Sequence, residues 1–472
     1  MPVAASTVTI RRPLIVQHGG RVEPFLGFGA QFFTQLFGEA GNPGTVSAPL
    51  LVELQNSVQR LMPGHSRIAV RLLATQPGPA GQVERQALMK TIALAQEGGA
   101  NVNLTWWHGP YYRDPKNPTE AGFLGKQFME AFADVIEEAR RRFDCVTHVT
   151  VQNEVNNQDI GRKRKTPVSM AIYNRLYRFL DTDLKARADP RHPAKKLRDA
   201  VDFVGGDLLA GGHIAGSNQA NWLKFMQDNM ADILDGYSVH VYWTNGDYKK
   251  LETRLTQLLE LRKKLEIKLP LYVTEYGVRG DNAGPKGRFN SGRLGGKNIE
   301  ESTASAFQHA WFNAFAPQCG IVGLAKWACY RIDGPHRPER DWGMICGARK
   351  RFADTPTYRM TMLFNRLIDD NWKADGLGRG EHTLVSVFKG PAGGQSAVVL
   401  NRGRELEAVT IDRLKPNATY FAAVWNRGGD GTVHSRKRLT TGPNGIAKVN
   451  VPGSGLVALS TRSLGLQQRT RP

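Results

Sequence analysis

Short apolar runs alternate with helix-period segments along most of this chain. The runs are FLGFGAQFF (25–33), SRIAVRLL (66–73), ANVNLTWW (100–107), HVTVQNE (148–154), DFVGGDLL (202–209), GYSVHVYW (236–243), LYVTEYG (271–277) and GIVGLAKWACY (320–330). Each is short, rich in β-branched and aromatic residues, and bounded by polar or glycine-containing segments, the signature of parallel strands covered on both faces. Between them apolar residues recur at helical spacing: Leu88, Ile92 and Ala95 ahead of a stop at Gly98 and Gly99, then Phe128, Phe132, Val135 and Ile136, then Ile172, Leu176 and Leu180. A last helix is expected from about Thr355 to Leu367. Eight strands, each followed by a helix, predict an α/β fold with a closed (β/α)8 TIM barrel over residues 25–370.

Beyond Trp372 the texture changes to short alternating strands broken by Gly, Asn and Pro, as in HTLVSVFK, QSAVVLNRG, ATYFAAVWNRGGDG, GIAKVNV and GLVALSTR. Residues 371–465 therefore read as a C-terminal antiparallel β-sandwich, and 466–472 as a frayed tail. Residues 1–24 carry two further alternating runs, TVTI (7–10) and LIVQ (14–17), which either cap the barrel floor or add strands to the sandwich.

Apolar residues make up 41% of the 472 and charged residues 22%, enough to bury a large core and to exclude a mostly disordered chain. No run of eighteen apolar residues and no basic-then-apolar leader occurs, so neither a membrane span nor an intact signal peptide is expected. The protein reads as soluble, secreted or periplasmic if a signal peptide was removed and otherwise cytoplasmic. Cys145, Cys319, Cys329 and Cys346 have no CxxC spacing and read as core residues. A net charge of +20 suits a polyanionic partner, or simply a basic surface. The short clusters Arg162 to Lys165 and Arg436 to Arg438 lack the aromatic interleaving of a nucleic-acid groove.

In such a barrel chemistry belongs at the carboxyl ends of the strands. Those ends are polar here: Gln152, Asn153 and Glu154 on the fourth strand, Thr274, Glu275 and Tyr276 on the seventh, Arg71 on the second, Trp106, Trp107 and His108 on the third, His240 and Tyr242 on the sixth and Trp327 on the eighth. A carboxylate that follows an apolar run has lost hydration and needs a partner or a task. Two of them on opposite sides of the mouth form the pair that glycoside hydrolysis requires.

This set, with Asn153-Glu154, His240, Tyr242, Glu275 in TEYG, Trp327 and Arg71, resembles clan A of the glycoside hydrolases. VQNEVN and GFGAQFF are similar to family 30, while YSVHVYW and the appended sandwich are equally similar to family 39 or an outlying group of family 5. Val155 stands where many clan members carry Pro after the Asn-Glu pair. The resemblance implies a retaining glycosidase with no cofactor, acting on an oligosaccharide, polysaccharide or glycoside, an acidic one included, with Glu154 as acid/base and Glu275 as nucleophile. Arg71 and Tyr242 would keep Glu275 ionised, and a drier setting would hold the Glu154 proton. Asn153 would bond a sugar 2-hydroxyl, Trp327 would stack on a sugar face, and Trp107, His108 and His240 would orient the substrate.

Blander readings accompany each residue. His240 also reads as a satisfied interior histidine, Trp106 as packing, and Trp222 and Trp311 as helix core. Tyr111, Tyr112 and Trp342 are candidates for subsite walls, and Asp207 is a weaker candidate for substrate contact. No His-x-His and no acidic cluster closes the first strand, so no metal is expected, although His108, His240 and the glutamates compose the alternative of a metal-dependent hydrolase. A non-catalytic glycan-binding protein on the same fold is the other alternative.

Overall fold

The structure is a computed structural model that describes residues 5–11, 24–38, 46–107, 124–156, 168–209, 219–280, 293–294, 297–332, 342–368, 371–428 and 432–464. Eight parallel strands close into a barrel: β1 Phe28–Phe32, β2 His65–Arg71, β3 Asn101–Trp107, β4 Val146–Thr150, β5 Asp202–Leu209, β6 Gly236–Thr244, β7 Leu271–Arg279 and β8 Ile321–Lys326. Closure is made where Leu324 to Lys326 of β8 pair with Phe28 to Ala30 of β1.

The outer ring is α1 Ala48–Leu61, α2 Pro79–Glu97, α3 Gly125–Arg142, α4 Met170–Ala186, α5 Gln219–Asn229, α6 Tyr248–Lys264, α7 Thr303–Phe315 and α8 Pro356–Leu367, one after each strand. Local chemistry sets their starts. Side-chain oxygens of Ser169, Asp247, Ser302 and Thr355 accept backbone N–H groups that the first turns of α4, α6, α7 and α8 leave unpaired.

Two strands depart from regular pairing, and both departures aim side chains into the barrel. In β7 an extra residue opposes β6 between the pairs Val239↔Val273 and His240↔Glu275. Consecutive strand residues normally face opposite ways, but at this bulge both the Thr274 hydroxyl and the Glu275 carboxylate reach interior partners. In β5 the register against β6 shifts between Gly205 and Leu208. Gly206 there has φ 122°, and a Cβ on it would lie 2.4 Å from the Ser238 carbonyl oxygen, so glycine is required. Asp207 follows with φ 50°.

The C-terminal part is a seven-stranded antiparallel sheet facing a three-stranded one. Both described N-terminal strands belong to it: Ala5–Val8 pairs in parallel with Glu407–Ile411, and Ile10–Arg11 pairs antiparallel with Lys373–Arg379. That resolves TVTI in favour of the sandwich, with one parallel pair in an otherwise antiparallel assembly; LIVQ lies outside the described residues. Period-two alternation divides the strand Thr383–Lys389 between two cores. Val385 and Val387 pack inside the sandwich, while Leu384 and Phe388 join the core shared with the barrel helices. Between them Ser386 donates to the Ala314 carbonyl of α7, and Phe307 of α7 stacks on Trp425 at 5.9 Å. The sandwich thus packs on the α7–α8 side of the barrel.

Candidate active site

The barrel interior is organised around one guanidinium. Arg67, fully buried in the middle of β2, donates to Glu275 and to Gln31 through Nη1, to Asn153 and Asp207 through Nη2, and to Thr105 Oγ1 through Nε at 2.9 Å. Its charge therefore links four strands and the turn after β4. Such a cation is tolerable in a dry interior because Asp207 and Glu275 both answer it. Arg71, the expected partner of Glu275, lies four residues further along the strand and instead meets Glu84 of α2, Nη1 to Oε1 3.3 Å.

Glu275 accepts from Arg67 on one oxygen and from the Tyr242 hydroxyl on the other, at 2.8 Å. Burial raises its carboxyl above the usual range; His240 and Arg67 pull against that rise, and Glu154 adds to it. Asp207 receives Arg67, the Ser238 hydroxyl at 2.8 Å and the Thr274 hydroxyl. Burial alone would raise this carboxyl as well, but Arg67, with His240 and Thr274, holds it well below the ordinary range.

Glu154 arrives from the other side. β4 ends at Thr150, and both Gln152 (φ 69°) and Glu154 (φ 49°) take left-handed backbone conformations in the turn that follows. Non-glycine residues in that region cost of order 1–3 kcal/mol each and persist where surrounding contacts impose them, commonly at functional sites. The Glu154 side chain is 11% exposed and that of Glu275 5%, so the expected drier acid is in fact the wetter of the two.

Between the carboxylates sits His240. Its Nδ1 lies 3.2 Å from Glu154 Oε1 and 3.4 Å from Glu275 Oε2, and its Nε2 lies 3.8 Å from Asp207 Oδ1. Burial would lower its pKa, but the nearby carboxylates of Glu275, Asp207 and Glu154 together outweigh it and push it up to about 9. His240 is thus an imidazolium at neutral pH. An unfolded histidine titrates near 6.5, so this group's contribution to stability is full below about pH 6.5 and is lost as pH rises through about 9. His240→Asn should remove that alkaline fall, as measured by urea unfolding at a series of pH values; parallel stability profiles in both proteins would place the proton elsewhere.

Aromatic walls frame the group. Trp107 lies under Arg67, whose guanidinium carbon is 5.0 Å from the ring centroid, and faces Trp327 at 5.7 Å; Trp342 faces Tyr242 at 5.3 Å. Trp106 points outward onto Phe132 of α3, Trp222 packs on Tyr173, and Trp311 lies in the core. Behind the walls the buried Lys326 ammonium donates to the carbonyls of both Trp327 and Trp342 and pairs with Glu300 at 2.9 Å. His108, Tyr111, Tyr112 and the cluster Arg162 to Lys165 lie outside the described residues.

The structure therefore brings together Asn153, Glu154, His240, Tyr242, Glu275, Trp107 and Trp327, and separates Arg71 from them. Sequence reasoning missed Arg67, Gln31, Thr105 and Ser238, noted Thr274 at its strand end without giving it a role, and underrated Asp207. The available signal was the arginine inside the apolar run SRIAVRLL, in phase with Arg71, since a charge in mid-strand demands an interior partner. Among the described residues Glu154, His240 and Glu275 also offer three donor atoms within 4.8 Å of one another, as a divalent cation would require. A metal would enter beside Arg67 and would need His240 to surrender its proton, so the donor set fits a metal poorly.

No family model matches this sequence, and no curated protein matches it. Solved structures do. The fold is similar to that of a GH30 endoxylanase from Clostridium papyrosolvens C71, with a TM-score of 0.66 at 12% identity, covering 98% of this chain and 100% of that one. A family 51 α-L-arabinofuranosidase from Bifidobacterium longum aligns with a TM-score of 0.62 at 11% identity, over 96% and 99% of the two chains. A family 39 glycoside hydrolase from Bacteroides cellulosilyticus WH2 aligns at 0.57 and 13% identity, over 95% and 81%. The chain has the barrel-and-sandwich fold of these glycoside hydrolases of families 30, 51 and 39.

Proposed function

We propose that the protein is a retaining glycoside hydrolase in which Glu275 is the nucleophile and Glu154 the acid/base. The observation that carries this reading is the approach of the two carboxyl groups: one oxygen of Glu154 and one of Glu275 lie within 4.8 Å. Retaining enzymes hold the pair about 5–5.5 Å apart, whereas inverting ones need roughly 6.5–9.5 Å to admit a water.

Charge supports the division of labour. Arg67 and His240 supply two positive charges, and Asp207 and Glu275 two negative ones. A proton on Glu154 makes the cluster neutral, which a dry site favours. Glu154 then protonates the leaving oxygen while Glu275 attacks the anomeric carbon, and the glycosyl ester so formed is released by a water that returns its proton to Glu154. The Asn153 side-chain carbonyl is held by Arg67, and its amide nitrogen would donate to a sugar hydroxyl. Trp107 and Trp327 supply flat apolar faces for the ring.

The substrate is an oligosaccharide, a polysaccharide or a simpler glycoside; the neighbours' own names include xylanase and arabinofuranosidase activities. Neither a cofactor nor nucleic acid enters this chemistry. Among the described residues no helix is long and apolar enough to cross a membrane. A panel of aryl glycosides with neutral and acidic polysaccharides tests the activity, and proton NMR of the first-formed product tests the mechanism. Net retention is expected; an inverted anomer before mutarotation would remove Glu275 as nucleophile. A chelator should leave turnover unchanged, and metal-dependent turnover would transfer the triad to the hydrolytic-metal reading.

A further inference from the structure

We infer that Lys326 is a positioning residue of the active site: its ammonium clamps the backbones of Trp327 and Trp342 together and so fixes two of the aromatic walls between which the sugar binds. The clamp stands on contacts within the chain, and what the walls receive rests on the proposed glycosidase reading.

Lys326 is the last residue of β8, and Trp327 follows it. Alternation along the strand sends the two side chains opposite ways. Trp327 turns inward, where its ring faces Trp107 at 5.7 Å and meets Phe33 edge-on at 5.1 Å. The fully buried lysine turns outward to Glu300, in the turn Ile299–Glu301, and beyond Glu300 stands His309 of α7, its Nε2 3.2 Å from Glu300 Oε2. From there Nζ donates back to the Trp327 carbonyl and across to that of Trp342 at 3.3 Å.

The second wall is drawn in by the same segment. The Trp342 carbonyl also accepts the Ala328 N–H at 2.8 Å, and the Met344 N–H donates to the Ala328 carbonyl at 3.0 Å, so the residues after Trp327 and those after Trp342 run side by side. Asn298 ties that stretch to the Glu300 turn, accepting the Glu300 N–H at 3.0 Å while donating to the Gly343 carbonyl at 3.4 Å. The Trp342 ring faces Tyr242 at 5.3 Å, and the Tyr242 hydroxyl donates to Glu275 at 2.8 Å. One cation therefore acts on the wall beside Trp107 and, through two rings, on the carboxylate at the centre of the site.

Stability alone gives no reason for a charge here. A buried ion pair loses much of its Coulomb energy to desolvation, and apolar side chains of similar volume often serve as well or better. Burial would raise the Glu300 carboxyl, but Lys326 and His309 outweigh it and hold it down at about 2, so Glu300 keeps its negative charge. An apolar side chain could not answer several acceptors at once. An ammonium carries three N–H donors, and the Trp327 carbonyl, the Trp342 carbonyl and Glu300 Oε1, 2.9 Å away, are three partners for it.

The test compares the full chain with Lys326→Met and with Lys326→Met/Glu300→Gln, the second of which removes both charges and avoids leaving Glu300 buried alone. Each protein is labelled with fluorotryptophan, and its resonances are assigned by single Trp→Phe exchanges. Fluorine NMR should show the Trp327 and Trp342 signals shifted in both variants, with the signal of Trp222 on α5 unmoved. On the best-cleaved aryl glycoside kcat/KM should fall by about 10- to 100-fold in both, the scale of a misplacement of about 1 Å. Most of that loss should lie in KM, because the walls hold the ring in the ground state as in the transition state. The double variant should regain the urea midpoint that the single one loses, without regaining KM. A merely structural ion pair predicts recovery of midpoint and KM together, and that result overturns the clamp, as do Trp327 and Trp342 signals that stay in place. If the single variant does not fold, the double variant decides by the same readings. Shifted signals in a protein that cleaves nothing on the panel keep the clamp and sink the glycosidase.

Discussion

Glu275→Ala should lower kcat/KM by about 10⁴- to 10⁶-fold on every glycoside the wild type cleaves, the range seen when a covalent nucleophile is removed. Azide or formate should restore part of the rate, because a small anion occupies the space between Arg67, Tyr242 and His240 that the carboxylate leaves. Glu154→Ala should behave differently. Substrates whose leaving group departs without a proton should retain measurable turnover, and those with poor leaving groups should lose it. Steady-state kinetics across aryl glycosides of graded leaving-group acidity measures the contrast. Losses that are the same in both variants and independent of the leaving group would show that the roles are misassigned.

The second large effect belongs to Arg67. Arg67→Ala leaves Asp207 and Glu275 buried without their common counter-charge, a loss of about 3–5 kcal/mol by analogy with broken buried ion pairs. The urea midpoint should fall accordingly. Asp207 is held below the ordinary carboxylate range in the folded protein, so its contribution is full above the unfolded value of about 3.9 and is lost as pH drops through the depressed one. Without Arg67 that acid-side dependence should flatten. Any remaining activity should shift its acidic limb to higher pH, because the Glu275 carboxyl, already raised by burial, loses a charge that lowered it. Arg67→Lys should recover only part of either property, since an ammonium cannot span Asn153, Asp207 and Glu275 as the fork does. A variant as stable and as active as the wild type would mean that the interior cluster is held by its hydroxyl and amide partners alone.

Legibility along the chain followed the physics of each element. The eight barrel strands could be read because a strand covered on both faces must be apolar almost throughout, and the helices because only one face of each is buried. The strand-end rule then pointed to Glu154, His240, Tyr242 and Glu275, which the structure places around one centre. Arg67 escaped that rule because it sits in mid-strand, where the expectation was apolar. Choosing Arg71 was an error of depth: alternation assigns both arginines to one side of the strand but says nothing about how far down the barrel a side chain acts. Asp207 and Thr274 became central through bulges in β5 and β7.

The sequence by itself determined the order of elements, the closure of eight βα units, the appended sandwich and the carboxylate pair at the mouth. These follow from periodicity and from the cost of placing charge after an apolar run, which are local properties. Only the tertiary structure decided that Arg67 is the common partner of Glu275 and Asp207, that His240 is shared by three carboxylates, and that the N-terminal strands join the sandwich. It also reversed the expected burial of the two glutamates. Such outcomes depend on register, on one-residue bulges and on left-handed turns, and these set which side chains from distant strands approach within a few ångströms, a relation that the spacing of residues along the chain does not encode.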